Sequence, residues 1–183
     1  PHLFDDIVAH EWSRLAFRSP QVERVFELQR HRYQMIRGLD FYRHVRAALE
    51  ASPQVTWVRT AADGLHELPG AAEVRATTPA GEFRARYAFD SRPPQLDKLR
   101  QPGRHRYLLQ HFVGWELETD HDVFDPATVE FMDFRGAQHQ EARFMYVLPF
   151  SKRRALVEYT LFSEKPLPKA EYEAALRDYL RDT

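Results

Sequence analysis

Cysteine is missing from this 183-residue chain, which excludes a disulfide framework, a thiolate metal site and a cysteine nucleophile. The absence fits a reducing compartment, and the cytoplasm is the default expectation. Glycine is scarce: the seven glycines nowhere spell GxGxxG or a Walker loop, so the sequence offers no recognisable cradle for a nucleotide phosphate. A nucleophile elbow is also absent. Charge of one sign is lacking too. The 26 basic and 27 acidic residues leave a net charge of -1, with no field to attract a phosphate polymer, so nucleic acid is not an expected partner. Only Lys98, Lys152, Lys165 and Lys169 are lysines, an arginine bias that carries no functional weight. No apolar run approaches the roughly 20 residues of a membrane-spanning helix. Asp5 and Asp6 stand where a signal peptide would be basic and then apolar. The first residue is proline, which leads us to expect a chain cut from something longer. Nine histidines show no HExxH or other ligand spacing, so His111, His121 and His139 are expected at the surface or in hydrogen bonds, and no metal is expected.

What is present is a 43 % hydrophobic composition, enough to bury a core. Val22, Val25, Phe26, Tyr33 and Ile36 fall near one helical face, so residues 22–37 read as helix or irregular chain. Asp40 is a plausible cap for a clearer helix bearing Phe41, Val45, Ala48 and Leu49, stopped by Ser52-Pro53. A short strand is expected at Val55–Arg59. Glu73–Thr77 and Glu82–Asp90 alternate about Pro79-Ala80-Gly81 and predict a hairpin. The charged stretch Leu96–Arg106, with Pro102-Gly103, is the expected linker. It divides a helical segment and hairpin (1–95) from a sheet with a C-terminal helix (96–183).

Beyond it, Tyr107–Thr119, Val129–Arg135, Ala142–Phe150 and Arg154–Phe162 read as four strands, and four strands without intervening helices predict an antiparallel sheet. Phe144–Phe150 is apolar on both faces and is expected at the sheet's centre. Pro166 and Pro168 open a last helix, with Tyr172, Ala175, Leu176 and Tyr179 at helical spacing. The fold class is therefore α+β.

Alternation on the last strand puts Val157, Tyr159 and Leu161 on one face and Leu156, Glu158, Thr160 and Phe162 on the other. Glu158 thus sits among apolar neighbours. Such a carboxylate either points to water or lines a cavity, and in a cavity its pKa rises and it becomes a general acid. The same alternation places Asp133 on the face of Phe131, with Arg135 and Arg143 as candidate salt-bridge partners. Phe112, Trp115, Phe131, Phe144, Tyr146 and Phe162 supply aromatic surface that serves either as plain core or as a pocket able to stabilise a cation.

Four runs follow in order: Gln110-His111-Phe112-Val113-Gly114-Trp115-Glu116, Met132-Asp133-Phe134-Arg135, Phe144-Met145-Tyr146-Val147-Leu148-Pro149 and Leu156-Val157-Glu158-Tyr159-Thr160. Together with Tyr33-Gln34-Met35-Ile36, Phe41-Tyr42 and Ala88-Phe89-Asp90-Ser91-Arg92, they make the chain resemble lycopene beta-cyclases of the bacterial type. The resemblance implies a flavoprotein related to aromatic hydroxylases, with an FAD-binding part, to which residues 1–95 would contribute a remnant, and a mostly antiparallel substrate-side sheet. The glycine-rich FAD fingerprint of that family is not visible here, so the chain resembles an interior piece.

The implied reaction has no net redox change and is an isomerisation by an intramolecular lyase. An acid protonates a linear carotene end group, the cation closes a six-membered ring and a neighbouring proton leaves. Reduced FAD is implied as cofactor, NADPH as its reductant and lycopene as substrate. On the family's acidic motif the proton-transfer role falls on Glu158, with Asp133 as a second catalytic candidate and Phe112, Trp115, Phe131, Tyr146 and Phe162 as substrate-binding residues. Tyr159 stands where a second acid is common. So apolar a substrate implies peripheral contact with the membrane. The rivals are a flavin monooxygenase or prenyl reductase, separable by product analysis, and a non-catalytic module that retains carotenoid unchanged. The missing glycine cradle predicts that this chain, titrated with FAD, binds more weakly than about 1 μM, or about −8 kcal/mol. Stoichiometric binding tighter than that contradicts the expectation.

Overall fold

A computed structural model describes residues 3–68, 70, 72–93 and 107–181. The expected linker Leu96–Arg106 lies outside the described residues. The chain divides into two compact units, Pro1–His44 with Arg106–Thr183 and Val45–His105.

The first unit is built on a six-stranded sheet. Its strands are β2 (Arg14–Arg18), β3 (Glu23–Glu27), β8 (Leu109–Glu118), β9 (Thr128–Asp133), β10 (Ala142–Pro149) and β11 (Arg154–Ser163), in the order β3-β2-β9-β10-β11-β8. The four expected strands are all present and pair antiparallel with one another. The sheet as a whole is mixed, because β2 joins β9 in parallel. β10 lies between β9 and β11, which accounts for its lack of a polar face.

Residues 22–37 correct the sequence reading, since they form two strands and no helix. Glu23–Glu27 pairs with β2 at the sheet edge, every residue exposed, and its charges suit an edge that must not recruit another strand. β4 (Tyr33–Ile36) pairs with β1 (Val8–Trp12) in a separate two-stranded ribbon. The apparent 3.6-residue spacing was a coincidence of short strands, and pairing with distant partners overrode it.

Two apolar clusters hold this unit. On one face of the sheet, the back, Met145, Val147, Val157, Tyr159 and Leu161 pack against Tyr172 and Leu176 of α2 (Lys169–Arg181). This is the expected last helix, with its apolar positions turned inward. His111 fastens it: the ring bonds the Tyr172 hydroxyl at 2.6 Å and the Ser163 hydroxyl at 2.8 Å. On the front face the ribbon brings Trp12, with Tyr33 and Met35 around it, onto Val129 and Leu148. The Trp12 indole N–H donates to the Pro149 carbonyl at 2.8 Å, so the largest buried ring carries no unsatisfied donor.

α1 spans Gly38–Glu50, with Asp40 in its first turn rather than at the cap. The second unit holds the meander β5 (Gly64–Glu67), β6 (Val74–Thr78) and β7 (Gly81–Ala85), whose β6–β7 turn contains the expected Pro79-Ala80-Gly81. Gly81 has φ +125°, which explains glycine at that turn. The strand expected at Val55–Arg59 is absent; those residues have no ladder partner. Arg92 bonds both carboxylate oxygens of Asp90 and the Ala62 carbonyl, and its hydrogen bonds lower Asp90 to about 2. Among the described residues no helix is long and apolar enough to cross a membrane.

Leu161 has no exposed surface, whereas Phe112 on the neighbouring strand is 58 % exposed. Urea unfolding should therefore show a loss of about 2–5 kcal/mol for Leu161→Ala. Phe112→Ala should change stability by no more than about 0.5 kcal/mol.

Candidate functional site

β11 fixes the site because its two faces are covered differently. Val157, Tyr159 and Leu161 are committed to the core under α2, so Leu156, Glu158, Thr160 and Phe162 must face front. In the antiparallel ladders Glu158 lies opposite Tyr146 on β10 and opposite Gly114 on β8. Directly opposed residues of such a pair share a face, so Tyr146 and Glu158 are neighbours on the front. On the Tyr146 side the front is covered by the ribbon. On the β8 side it is open, since Gln110, Phe112, Gly114, Glu116 and Glu118 alternate as exposed residues.

The Glu158 carboxyl is half-buried at this boundary. Among the described residues no hydrogen bond or ion pair reaches it, and burial pushes its pKa above the ordinary glutamate value. Beside it, the Tyr146 and Tyr33 hydroxyls lie 2.5 Å apart, one donating to the other. Burial, then the bond to Tyr33, hold the Tyr146 hydroxyl well above the usual phenol range, and the charge of Glu158 adds to this. Tyr146 therefore keeps its proton near neutral pH. Phe131 meets both tyrosine rings edge-on, at 5.8 Å from Tyr33 and 6.3 Å from Tyr146.

Asp133 is elsewhere. The register between β9 and β10 shifts by one residue, with Met145 opposite Asp133 but Val147 opposite Glu130. Met145 and Val147 both belong to the back-face core. The bulge thus turns Asp133 to the back and leaves Phe131 in front, correcting the expectation that the two share a face; one extra residue reverses the alternation beyond it. There the Asp133 carboxylate, 1 % exposed, accepts from the Arg135 guanidinium at 2.6 and 2.9 Å and from the Tyr179 hydroxyl at 3.3 Å. Burial pushes its pKa up, but the hydrogen bonds and charge of Arg135 and the bond from Tyr179 outweigh this and hold it below the ordinary value. A cleft of about 590 Å³ on this side is lined by Asp133, Arg135, Tyr159 and Tyr179. Arg143, the other candidate partner, instead pairs with Glu141 at 2.6 Å.

Of the aromatic residues read as substrate-binding, Phe112, Phe131, Tyr146 and Phe162 share the face of Glu158. Trp115 does not. It lies opposite Val157 on the back face and takes the Arg177 guanidinium of α2 over its ring at 5.4 Å. The structure also adds Tyr33, which the sequence reading had in another kind of element; its only early signal was membership of the Tyr33-Gln34-Met35-Ile36 run. No group of three or more potential metal ligands comes together among the described residues.

Two comparisons with known proteins point to one family. A family model described as "Lycopene cyclase protein" matches residues 2–183. A lycopene beta-cyclase of Paracoccus sp. (strain N81106 / MBIC 01143) is 42 % identical over 85 residues, covering 44 % of this chain and 21 % of that protein. The matched segment thus spans about a fifth of the relative's length.

The two carboxyls should respond to pH with opposite sign. Glu158 has a raised folded-state pKa, so the folded protein binds the extra proton and stability falls as pH rises through the window above the ordinary glutamate value. Glu158→Gln should therefore raise the melting temperature at pH 7 more than at pH 4. Asp133 has a lowered pKa, so its contribution is present at neutral pH and is lost as pH falls below the ordinary aspartate value. Asp133→Asn should lower the melting temperature at pH 7, and less so in acid. Thermal unfolding of both variants at the two pH values checks the pair.

Proposed function

Because the chain belongs to the lycopene cyclase family, we propose that Glu158 is the acid that starts ring closure on the linear end group of a carotene. The observation that carries this reading is the half-buried Glu158 carboxyl, unpaired among the described residues, raised in pKa and set on an aromatic face of the sheet. Cyclising a hydrocarbon needs a proton donor in dry surroundings, because an alkene is a poor base and water would compete for both the proton and the cation.

In the proposed step the Glu158 O–H bond breaks and its proton forms a new C–H bond at the terminal double bond. The cation so formed is attacked by a neighbouring double bond, and the six-membered ring closes. Loss of an adjacent proton to the carboxylate restores Glu158, so atoms and charge balance and no electron is transferred. The π faces of Phe131, Tyr146 and Phe112 lie on the same side of the sheet and can stabilise positive charge as it develops. Tyr146, whose hydroxyl proton is tightly held, would neither ionise nor compete as a base.

This mechanism needs one carboxyl. Asp133 lies on the other side of the sheet as an anion paired with Arg135, which supports a structural role for it, anchoring Tyr179 of α2. Reduced FAD and its reductant NADPH belong to the same reading through the family. The described residues do not fit a dinucleotide's pyrophosphate: they include no glycine-rich turn between a strand and a helix. The proton transfers proposed here use the Glu158 carboxyl alone. A carotene substrate dissolves in the bilayer, so peripheral membrane contact is part of the proposal.

The test is Glu158→Gln in a full-length cyclase carrying this sequence, since glutamine keeps shape and hydrogen bonding but has no proton to give. Ring formation from lycopene, followed by product chromatography, should fall by about 10²- to 10⁴-fold. Near-normal cyclisation by this variant would remove Glu158 from the role.

A further inference from the structure

Gly114 stands in the middle of β8, where the backbone is extended and nothing about its conformation calls for glycine. A glycine inside a strand destabilises it relative to alanine, through chain entropy and the loss of a side chain to pack. The reason for its presence lies across the ladder. Gly114 is directly opposite Glu158, and a Cβ built on it would come within 2.8 Å of Glu158 Cγ and 3.4 Å of Glu158 Oε1. It would also meet Leu156 Cδ1 at 3.4 Å. The glutamate stem therefore lies over the β8 backbone, in the space that any other residue at 114 would fill.

We infer that Gly114 is a positioning residue: its missing side chain is a notch that seats the Glu158 carboxyl over β8, on the open side of the front face. The inference rests on the reading of Glu158 as the acid and adds what places it. Seated in the notch, the carboxyl has no donor holding its anion among the described residues, and it lies where β8 leaves the face uncovered. Pushed out of the notch, it moves toward β10, where the Tyr146 hydroxyl can donate to the carboxylate. Such a bond favours the charged form and weakens the readiness to be protonated. Of the other charged groups on this face, Glu116 and Arg154 are paired with each other, Glu118 lies opposite Arg154, and among the described residues none of the three is bonded to Glu158.

The test compares Gly114→Ala with Glu158→Gln in a full-length cyclase carrying this sequence, and follows the Glu158 carboxyl by infrared titration in the 183-residue chain. Gly114→Ala should fold, lower ring closure by about 10- to 100-fold as a misplaced acid does, and shift the Glu158 titration downward by about one pH unit. A folded Gly114→Ala variant with unchanged titration, or with normal ring closure while Glu158→Gln is inactive, overturns the inference. If Glu158→Gln is itself active, the underlying acid assignment fails, and the titration alone then decides whether the notch exists. Should Gly114→Ala not fold, adding Glu158→Ala removes the colliding stem and must restore folding. A double variant that stays unfolded also overturns the inference.

Discussion

Burial of Val157, Tyr159 and Leu161 beneath α2 governs the facing of everything else on the sheet. These side chains meet Tyr172 and Leu176 on the back, and a strand with period two then has no freedom left on the front. Glu158 cannot turn inward without carrying Val157 and Tyr159 out into water, a loss of several kcal/mol at about 1.5–3 kcal/mol for each large apolar side chain. The position of Glu158 is thus held by hydrophobic burial on the opposite face, with no direct bond to the carboxyl among the described residues. A carboxyl kept in place in this way can have a raised pKa, because a direct donor would stabilise its anion and draw the value down.

Asp133 shows the alternative outcome for the same chemical group. It is more deeply buried than Glu158, yet it stays an anion because the bidentate Arg135 and the Tyr179 hydroxyl compensate for its desolvation. The surroundings of one carboxyl stabilise its charge, and those of the other disfavour it. They are separated by the sheet itself, so neither perturbs the other as a closely spaced pair would. The bulge in β9 is the device that separates them, since without it Asp133 would follow Phe131 to the front.

The front face is a boundary between two coverings. Trp12, Tyr33 and Met35 of the β1–β4 ribbon close it over Val129 and Leu148, while β8 leaves Phe112 and Gly114 open. Glu158 falls at the line between them. That placement combines desolvation from one side with access from the other, both of which a proton donor to a hydrocarbon needs. The ribbon strand carrying Tyr33 is far from Tyr146 in sequence, so the hydroxyl pair exists only once the ribbon has docked.

Much of this was legible before folding. The four C-terminal strands, the helix behind them, the hairpin about Gly81 and the alternation that isolates Glu158 all follow from patterns within single segments, where the period is local and strong. Several misread parts share one cause. Residues 23–27 and 33–36 are strands because of partners on β2 and β1; Asp133 changes face because of a single unpaired residue; Trp115 turns from candidate lining to core because Val157 lies opposite it. In each case the deciding contact is distant in sequence, and a short apolar run does not encode it. By itself, then, the sequence determined the four C-terminal strands and the helix behind them, the acidic position among apolar neighbours, and the family. Tertiary structure alone decided which faces are sealed, which carboxyl is paired, and that a glycine on one strand makes room for a glutamate on the next, because those outcomes depend on register between segments rather than on composition within them.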